Sequence, residues 1–260
     1  MDIDHNKTVQ KEFAKQAGEF EKKAFPLARQ DCLEWMVKHI LSKAGPRVLD
    51  VAAGTGHLSR AIAPHVEEVV AIDATPAMLM EGRKQAERSG ITNITFEEGF
   101  AERLPYPDHA FDMVVCRFGV HHFQRPSVQL HEMSRVCKPG GSVGIIDLVS
   151  PSDERLAESY NYLERLRDPS HTVALTEKAL TQLITDAGLT ISRTDAREVE
   201  VNVELWLGLT KASKTISNQI KDHLVKEIHG GSETGMRPFM KNGELRFLQT
   251  WFVVLGEKTV

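Results

Sequence analysis

One stretch near residue 50, Val48-Leu-Asp-Val-Ala-Ala-Gly-Thr-Gly-His57, constrains this chain most. It reads as a buried strand that ends at Asp50, and a Gly-X-Gly turn follows before a helical pattern begins. Gly54 and Gly56 carry no Cβ, so a ligand can approach the backbone of this turn closely. A second apolar strand ends at Asp73. A glycine turn with an acid at the tip of the next strand predicts a nucleoside-containing cofactor, since α/β sheets bind ribose hydroxyls in this way.

Hydrophobic periodicity predicts alternating strands and helices along residues 46–150. We predict strands near 47–51, 68–72, 93–97, 112–116 and 142–148. We predict helices near 56–64, 76–89 and 127–137, after two N-terminal helices near 7–22 and 27–43. Such alternation is typical of a parallel sheet with helices on both faces.

The pattern changes in residues 151–260, where we predict helices near 152–167 and 176–187, a strand near 189–201, a helical insertion at 203–229 and a last strand at 245–255. One apolar stripe runs along the insertion, with a predicted break near Gly208. Asn242-Gly243 predicts a turn before the last strand. A segment in this place can lie over the carboxyl ends of the strands, where ligands bind. We interpret the insertion as a lid or acceptor-pocket wall; the alternative is that its stripe only covers the core.

Composition narrows the class of protein. A net charge of −4 over 260 residues gives no basic field for nucleic acid. The three cysteines (Cys32, Cys116, Cys137) are widely spaced, which favours reduced core thiols over a disulfide framework or a zinc site. The polar N-terminus does not resemble a signal peptide, and no apolar run approaches the roughly 18 residues of a membrane span. We therefore expect a cytoplasmic protein without nucleic-acid partners or stable membrane insertion.

Two classes of protein combine a strand, a Gly-X-Gly turn and a helix. NAD(P)-dependent oxidoreductases carry Gly-X-Gly-X-X-Gly, but Ser59 occupies the third glycine position here. The second class is the S-adenosylmethionine-dependent methyltransferases of class I. Five segments resemble that family, in order along residues 46–150: Val48–Gly56, Val70–Asp73 with Met78, Glu98–Asp108, Phe111–Phe123 and Val136–Gly141.

Within the family, the segments resemble the ubiquinone/menaquinone C-methyltransferase-like branch of small-molecule enzymes. The resemblance implies a doubly wound, Rossmann-like α/β fold with a seven-stranded, mostly parallel sheet, whose antiparallel last strand lies between the two strands before it. Residues 1–45 would form a helical cover, 46–150 the S-adenosylmethionine-binding core, and 151–260 the rest of the sheet with the lid at 203–229, all in one methyltransferase domain.

The resemblance also assigns cofactor roles to individual positions. The predicted S-adenosylmethionine-binding residues are Asp50, Ala52, Gly54, Gly56, Asp73, Ala74, Met78, Phe100, Ala101, Arg117 and Phe118. Asp50 would lie near the methionine amino group, and Asp73 would accept hydrogen bonds from both ribose hydroxyls. Family members often carry an acid at the position of Phe100, which can only pack against adenine. The N–H of Ala101 and the side chain of Glu102 are the expected substitutes.

Methyl transfer from a sulfonium is an in-line displacement, in which the protein mainly aligns acceptor, methyl and sulfur. A base is needed only where the acceptor must lose a proton. His121 and His122, just beyond the fourth strand, are the catalytic candidates, with Asp147 as a helper; the alternative is that both histidines anchor the loop. Phe13 and Phe20 are expected either to clamp the cofactor or to pack in the core.

We assign no metal to this chain. The expected product of the cofactor is S-adenosylhomocysteine, and the expected partner is a small-molecule methyl acceptor with a carbon, oxygen or nitrogen nucleophile. The oligomeric state stays open, a homodimer included. An NAD(P)-dependent oxidoreductase and an S-adenosylmethionine-binding protein without catalysis are the alternatives.

Overall fold

The computed structural model describes residues 3–21, 29–41 and 45–259. The strands are β1 (Arg47–Val51), β2 (Glu68–Asp73), β3 (Ile94–Glu98), β4 (Phe111–Arg117), β5 (Cys137–Val149), β6 (Leu189–Asn202), β7 (Pro238–Lys241) and β8 (Glu244–Lys258). The helices are α1 (Ile3–Gln16), α2 (Gln30–Ile40), α3 (His57–Ile62), α4 (Pro76–Arg88), α5 (Pro126–Val136), α6 (Glu154–Arg167), α7 (Glu177–Asp186), α8 (Val203–Leu209) and α9 (Lys214–Ile228). The predicted residues of the two N-terminal helices that fall in 22–28 and 42–44 lie outside the described residues.

The described strands form one sheet in the order β3-β2-β1-β4-β5-β8-β6, and the short β7 pairs with β8 outside this order. The first five in this order run parallel, whereas β8 is antiparallel to both β5 and β6. The expected mixed sheet, with its last strand between the two before it, is therefore confirmed. Asp50 pairs in register with Ala71 and Val115, so the carboxyl ends of β1, β2 and β4 lie side by side.

A short eighth strand, β7, adds to the seven strands expected. Asn242 and Gly243 adopt φ values of 55° and 78°, and they close a hairpin between β7 and β8. The turn was predicted from its Asn-Gly sequence, but β7 was not. Its four residues begin with a proline, which cannot donate to a ladder and is a poor strand signal.

Helices cover both faces of the sheet. Alternate residues of one strand enter opposite cores, as Val48 and Leu49 of β1 show. Val48 packs in a core with Met36 of α2, and Leu49 packs in another with Met133 of α5. The predicted doubly wound arrangement follows from this alternation.

The helical insertion before the last strand divides into α8 and α9. The side chain of Asn202 accepts a hydrogen bond from the N–H of Leu205 and caps α8, and Ser213 caps α9 in the same way. The break at residues 210–213 lies just beyond the predicted position at Gly208. None of the described helices is long and apolar enough to cross a membrane.

Candidate active site

A cavity lies at the carboxyl ends of β1, β2, β4 and β5, with α1 and α8 on its outer side. Most of the predicted site residues line it: Ala52, Gly54, Asp73, Ala74, Phe100, Ala101, Arg117, Phe118, His121 and His122. Asp50, Gly56 and Met78 do not belong to the lining. Met78 is fully buried in the first turns of α4.

The glycine turn follows β1 in a left-handed path. Ala52, Gly54 and Gly56 have φ values of 55°, 58° and 74°. Such a φ is strained for alanine, and strained residues concentrate at functional sites. A Cβ on Gly54 would meet nothing within 4 Å, so this residue faces open space in the cavity. A Cβ on Gly56 would lie 2.9 Å from Phe96 Cε1, so packing explains that glycine.

Asp73 presents its carboxylate at the edge of the cavity. One oxygen accepts from the N–H of Gly54 at 2.8 Å, and the other accepts from the N–H of Thr75 at 2.7 Å. Burial raises the pKa of Asp73, and these two N–H bonds oppose that rise. Each oxygen keeps further lone pairs, so the carboxylate is oriented to accept from two neighbouring hydroxyl groups.

Asp50 lies behind the cavity wall. Its Oδ2 accepts from the hydroxyl of Ser59 at 2.6 Å, and its Oδ1 has no hydrogen-bond partner. Burial raises the pKa of Asp50 to about 6. Burial also lowers the pKa of Arg117 to about 10, although the charge of Asp50 opposes this shift. Ser59, at the third position of the glycine pattern, thus holds the Asp50 carboxylate in place.

The N-terminal helix α1 lies across the cavity. Gln10 Nε2 donates to the carbonyl of Ala74 at 2.7 Å, and His5 Nε2 bonds the carbonyl of His122 at 2.8 Å. Phe13 and Phe20 both line the cavity, with ring centroids 6.1 Å apart. The two aromatic rings therefore lie against the candidate ligand site.

His121 and Asp147 form a buried pair beside the cavity. His121 Nδ1 lies 2.5 Å from Asp147 Oδ1, and the N–H of His121 donates to Asp147 Oδ2 at 3.2 Å. Burial alone would lower the pKa of His121, but the Asp147 carboxylate raises it above its ordinary value. A carboxylate at Nδ1 holds the proton there and leaves Nε2 as the basic nitrogen.

His122 occupies a different environment from its neighbour. Its Nδ1 lies 3.0 Å from the carbonyl oxygen of Ser170, and Phe13 packs edge-on against its ring at 4.8 Å. Burial, together with the adjacent His121, lowers the pKa of His122 to about 3. His122 is therefore a neutral ring held by the loop after α6, and His121 is the better-placed base of the two.

The cavity lining also contains residues that the sequence patterns did not single out: Leu148, Arg167, Asp168, Val201, Leu205, Trp206, Leu209, Gln249 and Trp251. Arg167 lies over the ring of Trp206, 4.7 Å from its centroid. Trp251 donates from Nε1 to Gln249 Oε1 at 2.9 Å. No motif marks these residues, and the only signal was the proposed lid, which supplies Leu205, Trp206 and Leu209 through α8.

The residues present fit a nucleoside cofactor with a polar tail. Asp73 suits a vicinal diol, and the open face of Gly54 admits a ligand against the backbone. Phe100 and Ala101 offer an apolar wall for a base, with Glu102 beside them. Two buried polar atoms without partners, Gln16 Nε2 and Thr55 Oγ1, belong to residues of the same cavity.

Comparison with known proteins agrees with this geometry. A family model described as a methyltransferase domain matches residues 48–141. The uncharacterized methyltransferase YcgJ of Bacillus subtilis is 40% identical over 144 residues, which make up 55% of this chain and 57% of YcgJ. The crystal structure of YcgJ superposes with a TM-score of 0.79 and 29% identity, covering 88% of this chain and 98% of that one. The chain belongs to the class I S-adenosylmethionine-dependent methyltransferases.

This methyltransferase also resembles the ubiquinone/menaquinone biosynthesis C-methyltransferase UbiE of Pseudomonas aeruginosa. The two are 37% identical over 123 residues, which are 46% of this chain and 48% of UbiE. The chain thus spans about half the length of the curated relatives it matches. The family model matches residues 48–141, which begin in β1, and the cavity lining also draws on residues on both sides of that segment.

Proposed function

We propose that this methyltransferase binds S-adenosylmethionine in the cavity and transfers its methyl group to a small organic acceptor. One observation carries the proposal: the Asp73 carboxylate faces the cavity with both oxygens oriented by backbone N–H groups of two adjacent loops. The ribose would lie on Asp73, and the adenine between Ala74 and the Phe100–Glu102 segment. Asp50 would influence the cofactor without touching it, because it lies behind the residues that line the cavity. Gly56 and Met78 would support the turn and α4.

When bound, S-adenosylmethionine supplies an electrophilic methyl group on a sulfonium. The protein's own contribution is to hold the acceptor in line and to exclude water, effects that can supply up to roughly 7–11 kcal/mol. For an acceptor that must lose a proton, we assign the base to His121 Nε2. Asp147 fixes the ring orientation and stabilises the imidazolium that forms. His122, whose pKa is lowered, is assigned to the cavity wall.

We assign the acceptor to the part of the cavity lined by residues of α8 and β8, and this lining supports a small molecule rather than a macromolecule. Trp206, Trp251 and Leu205 supply apolar surface, while Arg167 and Gln249 add polar groups between them. A few polar groups on a mostly apolar wall are typical of small-molecule pockets. The net charge of −4 also offers no field for nucleic acid. We place the reaction in the cytoplasm.

The first test is calorimetry with S-adenosylhomocysteine, combined with turnover on a panel of quinol, phenol, amine and carboxylate acceptors. Binding together with turnover on one acceptor class supports the proposal. Binding of NADH in place of S-adenosylhomocysteine would contradict the proposal and support the NAD(P)-dependent oxidoreductase instead. An enzyme that binds S-adenosylhomocysteine but cannot bind any acceptor beside it would be a cofactor-binding protein without catalysis.

A further inference from the structure

Two orphaned hydrogen-bond donors line the cavity. Gln16, the last residue of α1, is 2% exposed, lines the cavity, and its Nε2 has no partner. Thr55, inside the glycine turn, is 1% exposed, lines the same cavity, and its Oγ1 has no partner either. A buried polar group left unpaired costs about 1–3 kcal/mol, so two such groups at one cavity point to a ligand that satisfies them.

The chain brings these two residues to the same end of the site. The carbonyl of Gln16 accepts from the N–H groups of Glu19 and Phe20, so the chain turns back there. His57 lies two residues after Thr55 in the chain, and its Nε2 donates to the carbonyl of Phe20 at 3.0 Å. This contact fixes the end of α1 against the glycine turn.

Ion pairs and a further hydrogen bond stabilise the same contact. Arg60 donates to the carbonyl of Thr55 at 2.5 Å and to both oxygens of Glu21 at 3.0 and 3.1 Å. His57 lies 3.2 Å from the same Glu21 carboxylate. The segment that follows Gln16 is therefore bound directly to the turn that contains Thr55.

The position of Gln16 along α1 indicates which part of the cofactor it meets. Gln10 bonds the carbonyl of Ala74, next to the ribose-binding Asp73. Six residues later, about 9 Å along the helix axis, Gln16 lies well past the ribose. The next group of the cofactor at such a distance is the amino-acid tail, because adenine lies on the opposite side, at Phe100 and Ala101.

Within that tail, the carboxylate is the group that needs donors. A side-chain amide and a hydroxyl both donate, and a carboxylate accepts up to about four hydrogen bonds. Arg117, which lines the same cavity, adds a positive charge. The α-ammonium of the tail has only N–H donors and cannot satisfy Gln16 Nε2, which must donate; the Thr55 hydroxyl can donate to the carboxylate beside it.

We propose that Gln16 and Thr55 bind the carboxylate of the cofactor's amino-acid tail, Gln16 through its side-chain N–H and Thr55 through its hydroxyl. This inference rests on the proposed binding of S-adenosylmethionine and adds a residue of the N-terminal cover to the cofactor site. It also links the packing of α1 over the cavity to the cofactor, since the last turn of the helix would gain its missing partner from the ligand.

The test compares two ligands that differ only beyond the sulfur. S-adenosylhomocysteine carries the whole tail, whereas 5′-methylthioadenosine keeps adenine, ribose and sulfur but lacks the amino-acid group. Their dissociation constants are measured by calorimetry for the unmodified protein and for Gln16→Met and Thr55→Val. We expect each variant to weaken S-adenosylhomocysteine about 10- to 100-fold, the range for losing a hydrogen bond to a charged group, and to leave 5′-methylthioadenosine unchanged.

The matched control is Gln10→Met, the same substitution on the same helix. Gln10 holds α1 over the adenosine half, so this variant should weaken both ligands equally. Equal weakening of both ligands by Gln16→Met would show that Gln16 only seats the helix, and unchanged affinity for both would also overturn the proposal. The same two outcomes overturn the role of Thr55.

A measurement on the unmodified protein removes the dependence on variant folding. Decarboxylated S-adenosylhomocysteine retains the tail amine and lacks the carboxylate, and we expect it to bind about 10- to 100-fold more weakly than S-adenosylhomocysteine. Equal affinity for the two would overturn the proposal. Failure of the protein to bind S-adenosylhomocysteine at all would instead contradict the proposed function, so the two failures are distinguishable.

Discussion

Removal of the Asp73 carboxylate is the sharpest test of the cofactor site. The N–H groups of Gly54 and Thr75, together with the Thr75 hydroxyl, occupy part of its roughly four lone-pair sites, and the ribose hydroxyls would use what remains. In Asp73→Ala those hydroxyls must bond water instead. We expect a loss of about 1–3 kcal/mol in binding free energy, which is about 5- to 150-fold in the dissociation constant of S-adenosylhomocysteine.

Asp73→Asn should not be milder than Asp73→Ala. A carboxylate can accept from both loop N–H groups, but an amide must turn its own NH2 toward one of them. The exposed Glu98 offers a matched control, because it ends β3 in register with Asp73 but does not line the cavity. Glu98→Ala should leave affinity unchanged.

Calorimetry with 5′-methylthioadenosine and its 2′-deoxy analogue completes a double-mutant cycle around Asp73. Loss of the 2′-hydroxyl should weaken binding to the unmodified protein and have no effect in Asp73→Ala, because the two groups would be coupled. A deoxy penalty of equal size in both proteins, or unchanged affinity of Asp73→Ala for S-adenosylhomocysteine, would refute the assignment. Thermal melts of each variant check that the loop is intact.

Three further predictions concern the base, the packing and the buried acid. The rate of methyl transfer to a proton-losing acceptor should rise with pH through an inflection above about 6.5, and Asp147→Asn should move it to lower pH, since Asp147 raises the pKa of His121; an unmoved inflection contradicts this. Gly82→Ala should lower the free energy of unfolding in urea by about 1–3 kcal/mol, because its Cβ would lie 2.8 Å from a backbone oxygen of the glycine turn; full stability refutes the clash. Ser59→Ala should lower the melting temperature more at pH 7 than at pH 5, because the Ser59 hydroxyl bonds the ionised form of Asp50 and its loss raises the pKa of Asp50 further, so the added cost appears only above about pH 6, where the unmodified protein ionises this acid; equal losses contradict this.

Sequence patterns predicted the core of the site because its parts are local. The Val48–His57 stretch contains a strand, its terminal acid and the left-handed turn together, so a few consecutive residues encode the whole motif. Asp73 follows by the same logic one strand later. The resemblance added the order of the last strands, which no local pattern encodes. Ser59 shows the limit of local sequence patterns, since only the folded turn reveals that its hydroxyl donates to Asp50.

What the sequence by itself determined is the alternating β/α core, the Gly-X-Gly turn, the acid at the end of β2 and the methyltransferase family. The core, the turn and the acid follow from periodicity and from residues close together in the chain, and the family follows from the resemblance of five segments along residues 46–150. Only the tertiary structure decided that Gln16, Trp206 and Trp251 meet at one cavity, and that Asp50 lies behind its wall. Those residues come from opposite ends of the chain. Their meeting depends on how α1 and α8 pack over the sheet edge, a long-range choice that no short pattern records.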